Sequence, residues 1–323
     1  MFRRRVLLLL CVFSFIAVLS LDSNLLGRHA LGAEWKLVWS DEFDDDQVDR
    51  KKWDFDTGNG FFNYSANQWI SGWGNDELQY YTREPENVSI CEGVLRIRAL
   101  KESFQGCGYT SARLKTRARD GRPLFAKKYG KFEFRAKLPT GQGVWPALWM
   151  LPQDDKYGTW ASSGEIDIVE ARGQEPNKVL GTLHYGSRWP ANAYNGKDFI
   201  FPQGESFVDF HTYALEWEPG EIRWSVDGRT YSTQSHWWST SKLDGKNGAK
   251  PANESDLNAW PAPFDQPFYV VMNVAVGGRF LGNPNESTMF PAEMLVDYVR
   301  VYDKVGGYGE VKPRGKGKLP FEK

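Results

Sequence analysis

Residues that commonly carry metal or thiol chemistry are scarce here: the 323-residue chain holds three cysteines and four histidines. It has no HExxH pair, no CxxC pair, no glycine-rich phosphate loop and no serine or cysteine nucleophile elbow, so metal, phosphate and acyl-transfer readings have little to stand on. Gly277-Gly278 reads as a tight turn. Helical periodicity of any useful length is missing, as are internal repeats and a Pro- or Gly-rich linker through the middle. One domain of about 270 residues is the simplest organisation, a size that all-β sandwiches reach.

Long apolar runs are confined to the N-terminus. Residues 6–21 follow Arg3-Arg4-Arg5 and precede the small residues Ala30-Leu31-Gly32-Ala33, the layout of an export signal over 1–33 with cleavage near Gly32 or Ala33. The run is interrupted by Ser14 and Ser20 and is short for a span of about 20 residues, although a membrane anchor is the competing reading. Without that segment the chain carries 36 basic and 40 acidic residues, a net charge near −4. Such a balance argues against nucleic acid and polyanionic partners. Cys11 leaves with the signal, and Cys91 and Cys107 then lie at opposite ends of the expected strand 94–99, which leaves a disulfide between them open. Residues 304–323, a mixture of Gly, Lys and Pro without periodicity, are expected to form a flexible basic tail.

What the chain has instead is alternation. Segments 94–99, 131–138, 213–217, 222–226 and 294–302 each alternate apolar with polar side chains, and Asp227-Gly228 closes a hairpin between 222–226 and 229–232. The expected class is all-β, with 239–263 as a long surface loop.

The segment Gly164-Glu165-Ile166-Asp167-Ile168-Val169-Glu170 organises the rest. Acids at 165 and 167 alternate with isoleucines, giving one acidic and one apolar strand face. Glu170 then comes one residue late. A β-bulge at Ile168 or Val169 would return it to the acidic face. A solvated, ion-paired strand face is the bland alternative, but like charges aligned on one face are destabilising unless something uses them. Two glutamates so placed suit glycosidic chemistry, and the short reach favours the retaining spacing of about 5 to 5.5 Å over the inverting one.

Aromatic residues make up 15% of the chain, with 14 tryptophans. Trp69, Trp73, Trp145, Trp149, Trp160, Trp189, Trp237 and Trp238 sit beside turn residues, and as a group they suggest a groove holding the apolar faces of sugars.

With these residues in view, the chain resembles glycoside hydrolase family 16, and within it the laminarinase-like endo-β-1,3-glucanases. The resemblance runs from Trp39-Ser40-Asp41-Glu42-Phe43 to Val296-Asp297-Tyr298-Val299-Arg300-Val301-Tyr302, and rests on the bulged ExDxxE segment preceded by Trp145-Pro146-Ala147-Leu148-Trp149-Met150. It implies a β-jelly-roll sandwich of two curved antiparallel sheets with a concave substrate cleft, occupying residues 34–303. It implies Glu165 as nucleophile, Glu170 as general acid/base and Asp167 between them as the group that tunes the nucleophile. Asn75, Arg113, Trp145, Trp149, Trp160 and His184 match sugar-subsite positions, and Asn273-Val274-Ala275-Val276-Gly277-Gly278 resembles a cleft segment. Glu42, Gly93 and Asp297 match a structural calcium site of oxygen ligands. The implied protein is a secreted, extracellular or periplasmic monomer acting on β-glucan, with no stable membrane association after signal removal. Mixed-linkage glucan or a galactan is the alternative substrate, and a non-catalytic glucan-binding protein the alternative class.

Overall fold

Alternating side chains produce eighteen strands among the described residues, which are 34–63, 67–242 and 249–322 of the computed structural model. The signal-like segment 1–33 lies outside them. In chain order the first nine strands are β1 (Trp35–Asp41), β2 (Asp54–Asp56), β3 (Gly60–Asn63), β4 (Gln68–Ser71), β5 (Gln79–Thr82), β6 (Val88–Cys91), β7 (Val94–Phe104), β8 (Cys107–Lys115) and β9 (Gly130–Lys137). The second nine are β10 (Val144–Pro152), β11 (Glu165–Glu170), β12 (Lys178–Tyr185), β13 (Ala193–Ile200), β14 (His211–Glu218), β15 (Glu221–Val226), β16 (Arg229–Gln234), β17 (Phe268–Val276) and β18 (Ala292–Lys304).

Two curved layers result. One runs β13-β12-β11-β10-β17-β8, the other β7-β18-β9-β14-β15-β16, and the β7–β8 hairpin makes them one continuous path. β1 and β6 flank the second layer, while β2 and β5 flank β8, with β5–β8 the one parallel pair between strands among the described residues. β3 and β4 form a separate hairpin. The Asp227-Gly228 turn has both residues at positive φ (48° and 74°), the twist a two-residue hairpin needs.

Strand faces explain the packing. On β10 the side chains of Val144, Leu148 and Met150 are buried in the core, while Trp145 and Trp149 alternate with them onto the other face. On β12 the core takes Val179, Leu183 and Tyr185, and His184 faces the same way as Trp149. The two layers also touch through polar contact. Trp224 of β15 is fully buried and its Nε1 donates to the carbonyl of Asp167 at 2.9 Å, which pins the middle of β11 to the opposite layer. The approach requires Gly181 on β12, because a Cβ there would lie 2.5 Å from Trp224 Cδ1 and 2.6 Å from the Tyr231 hydroxyl.

Several expectations are corrected. Trp237 and Trp238 belong to the core, with Trp237 donating to the Pro261 carbonyl, so neither is available to a groove. The pairing left open for Cys91 and Cys107 is not made, and both are free. Cys91 pairs with Val94 at one end of β7 and Cys107 with Phe104 at the other, a separation of roughly 30 Å along an extended strand. Residues 304–322 are not a loose tail: Trp260 Nε1 donates to the Lys312 carbonyl (2.7 Å), Lys312 N to Pro219 O (2.9 Å) and Gly315 N to Ser235 O (2.7 Å), while Lys304 and Lys312 pair with Glu218 and Glu221. Within 239–263, of which 243–248 lie outside the described residues, Ser239, Thr240 and 261–263 are buried, so only part of that segment is a surface loop.

Gly181→Ala tests the layer contact. The added methyl is expected to cost about 1–3 kcal/mol as overpacking and to lower the thermal midpoint accordingly; an unchanged midpoint in thermal unfolding would contradict this packing.

Candidate active site

The bulge is at Ile168. Across β10, Trp149 faces Asp167 and Leu148 faces Val169, so Ile168 has no partner there. Across β12, Asp167 faces Thr182 and Glu170 faces Leu180, so three steps on β11 span two on its neighbour. Ile166, Ile168 and Val169 all go into the core, and Glu165, Asp167 and Glu170 share the opposite face.

Register places the other groups in rows across this face. Glu165 lies opposite His184, and a second row reads Glu170, Ala147, Asn273, Arg113 and Asp56 over β11, β10, β17, β8 and β2. Ala147, small and buried, lies in the strand between the Trp145 and Trp149 indoles. Each glutamate receives an indole N–H: Trp160 Nε1 donates to Glu165 Oε2 at 3.0 Å and Trp145 Nε1 to Glu170 Oε1 at 3.1 Å. Trp160 also lies against the His184 ring (5.7 Å between centroids), and Trp145 against Phe280 (4.8 Å). Arg113 is held between the faces of Trp73 and Trp149, 4.7 Å from each, and its Nε is 3.1 Å from Asp56. Asn75 is exposed at the rim and donates to Glu77.

All six of the sequence-derived subsite residues therefore lie on or beside the acidic face. Glu77, Asn273, Phe280 and Tyr194, whose ring is 5.9 Å from His184, were not singled out individually. Asn273 opens the cleft-like segment 273–278 and Glu77 lies two residues beyond Asn75, and composition offers no reason to separate either from its neighbours.

Electrostatics follow from burial. Desolvation, then the neighbouring Asp167, pushes the carboxyls of Glu165 and Glu170 up to about 8; His184 and the indole N–H groups work against this. Burial pushes Asp167 well above the carboxylate range. Its Oδ2 has no hydrogen-bond partner and lies 3.3 Å from His184 Nε2. Three ligating atoms of Glu165, Asp167 and His184 lie within 4.8 Å of one another, close enough to hold a cation. His184 Nδ1 has no partner, however, so the outer bond that usually orients a metal-binding imidazole is lacking.

The residues matched to calcium lie away from this face. Both Glu42 carboxylate oxygens bind Arg300 (2.8–3.2 Å), and Arg135 takes Oδ2 of Asp297 at 2.6 Å. Gly93 can offer only its carbonyl, and with its carboxylate committed Glu42 would do the same. The donors these three residues could offer, two carbonyls and an Asp297 oxygen, are all oxygen, the ligand type that calcium takes.

Comparison with known proteins agrees with this geometry. The profile of "Glycosyl hydrolases family 16" matches residues 75–263. The chain is 45% identical over 282 residues to glucan endo-1,3-beta-glucosidase A1 of Niallia circulans, covering 84% of this chain and 38% of that protein's length. It is 42% identical over 299 residues to a beta-glucanase of Rhodothermus marinus, covering 87% and 92%. The X-ray structure of the laminarinase from Rhodothermus marinus superposes with a TM-score of 0.68 at 43% identity, over 84% of this chain and 98% of that one.

The raised carboxyls carry a stability consequence. Between the ordinary carboxylate value and about 8, the unfolded chain gives up protons that folded Glu165 and Glu170 keep, so stability falls as pH rises through that window. Glu170→Gln is therefore expected to raise the thermal midpoint at pH 8 by a few degrees, on the order of a 1 kcal/mol gain, with the gain vanishing at pH 4. An equal gain at both pH values would contradict the assignment.

Proposed function

The chain belongs to glycosyl hydrolase family 16, and from that premise we propose that it is a secreted endo-β-1,3-glucanase of laminarinase type that works with retention of configuration. The observation that carries the reading is the Ile168 bulge, which puts Glu165 and Glu170 on one face, each under an indole N–H.

In the first step a Glu165 oxygen attacks the anomeric carbon while Glu170 gives its proton to the glycosidic oxygen; the glycosidic bond breaks and a glycosyl ester forms on Glu165. In the second, Glu170 takes a proton from water, the water oxygen attacks the same carbon, and Glu165 leaves as the carboxylate. The division of roles follows the order of the two acids in the ExDxxE segment. A carboxyl raised to about 8 keeps a proton on Glu170 at neutral pH, as the acid role needs; Glu165 is raised as far, and His184 and the Trp160 N–H are the groups that favour the anion it must become to attack. Asp167, buried between the two glutamates, is the neighbour that raises both carboxyls beyond what burial alone does. The indole faces of Trp145, Trp149 and Trp160 would stack on glucosyl rings, with Arg113, Asn75 and His184 meeting hydroxyls. Calcium, bound by Glu42, Gly93 and Asp297, would supply no chemistry and would clamp β1 and the β6–β7 turn to β18. The protein would act as an exported monomer once residues 1–33 are removed.

Incubation with laminarin, mixed-linkage glucan, agarose and carrageenan tests the substrate. Short oligosaccharides from laminarin are expected, with β configuration at the newly formed reducing end in the first product by NMR. Glu165→Gln is expected to fall to background and Glu170→Gln to lose about 10²–10⁴-fold in kcat. A first product of inverted configuration, or full activity of the Glu165→Gln protein, would overturn the mechanism; cleavage of a galactan alone would overturn the substrate.

Calcium is tested separately by thermal unfolding. At 100 times its dissociation constant the ion is expected to add about 2.7 kcal/mol, and Asp297→Ala is expected to abolish that gain.

A further inference from the structure

Beside the acidic face lies a carboxylate that the proposed reaction does not use. Glu77 ends the loop before β5, where it forms an isolated bridge with Gly277 at the end of β17. It accepts hydrogen bonds from Gln79 Nε2 (2.7 Å), Asn75 Nδ2 (3.3 Å) and the Tyr81 hydroxyl (3.5 Å). Burial raises its carboxyl and the nearby Arg113 opposes this.

The bonds beyond it run in one direction. The Tyr81 oxygen accepts from Asn273 Nδ2 at 3.0 Å, and Asn273 Oδ1 accepts from Trp149 Nε1 at 2.7 Å. Gln79, fully buried, gives its amide N–H to Glu77 and accepts at Oε1 from Val276 N at 2.8 Å. An indole N–H only donates, so Asn273 accepts from it at Oδ1 and donates from Nδ2, which leaves the Tyr81 hydroxyl to donate to a Glu77 oxygen. The chain Trp149–Asn273–Tyr81–Glu77 thus has a single consistent orientation. The same carboxylate turns the amide nitrogen of Asn75 inward and leaves its oxygen toward the rim.

We infer that Glu77 is a positioning residue for substrate: as the accepting terminus of this network it fixes the Trp149 indole and the Asn75 amide, and so sets affinity for glucosyl units on the Arg113 side of the acidic strand. It rests on the glucanase reading above. A glutamine at 77 would keep the shape but bring an N–H2 group to a point where Gln79, Asn75 and Tyr81 all present donors.

Glu77→Gln, Asn75→Ala and the double variant are compared by thermal unfolding and by kinetics on laminarin. Expected for Glu77→Gln is a rise in KM of about 10- to 100-fold, the loss of one hydrogen bond to a charged group, with kcat changed less than threefold and most of the loss restored in Glu77→Asp. The double variant is expected to lose little beyond the worse single variant, because Glu77 acts partly through Asn75. Unchanged KM, losses that multiply, or a fall in kcat that tracks a lowered thermal midpoint would overturn the proposal. Should the wild type cleave no glucan, the functional reading fails, and calorimetry of laminarin oligosaccharides binding to wild type and Glu77→Gln reads the same affinity ratio without turnover. Binding to neither protein, or equal binding to both, would overturn the role of Glu77.

Discussion

Keeping three carboxyl groups together in a desolvated place is the constraint on which the rest of this structure depends. Carboxylates taken out of water lose hydration that few protein contacts replace, and Glu165, Asp167 and Glu170 answer by holding protons to unusually high pH. The fold gives this cluster a rigid seat. Ile166, Ile168 and Val169 anchor the back of the strand in the core, β10 and β12 pair on either side, and Trp224 reaches from the other layer to the Asp167 carbonyl. The bulge makes the cluster, and the packing behind it keeps the bulge from relaxing to regular pairing.

The tryptophans do two jobs at once. Trp160, Trp145 and Trp149 each spend the indole N–H on a fixed acceptor, Glu165, Glu170 and Asn273 respectively. Ring orientation is thereby set before any ligand arrives, and a ligand need not supply that ordering. Arg113 between Trp73 and Trp149 extends the same preorganised floor toward β2, with Asp56 neutralising its charge.

Sequence alone reveals what is local. The alternation, the late acid at 170, the position of the bulge and the Asp227-Gly228 hairpin each arise from backbone preferences within a few residues, and each is found where expected. Contacts set by distant partners were not legible. Trp237 and Trp238 have turn formers beside them, as groove residues would, yet Trp237 packs on Trp260 and Phe264 and Trp238 on Tyr185, which buries both. The glycines and lysines of 304–322 lack any period because the segment is held by irregular bonds to Ser235, Pro219 and Trp260 rather than by a strand ladder. Cys91 and Cys107 could be weighed only once the length of β7 was known.

Glu77 is the clearest case of a residue whose meaning is topological. Its nearest bonds are to residues two and four positions away, which a motif can display, but their direction is decided by Asn273 and Val276, nearly two hundred residues downstream. Only the pairing of β17 with both β8 and β10 brings that amide between Tyr81 and Trp149. The strand that supplies Asn273 also flanks β10, which in turn flanks the bulge. A change in direction of the hydrogen bonds at Glu77 would thus be passed through Tyr81 and Asn273 to the indole opposite Asp167.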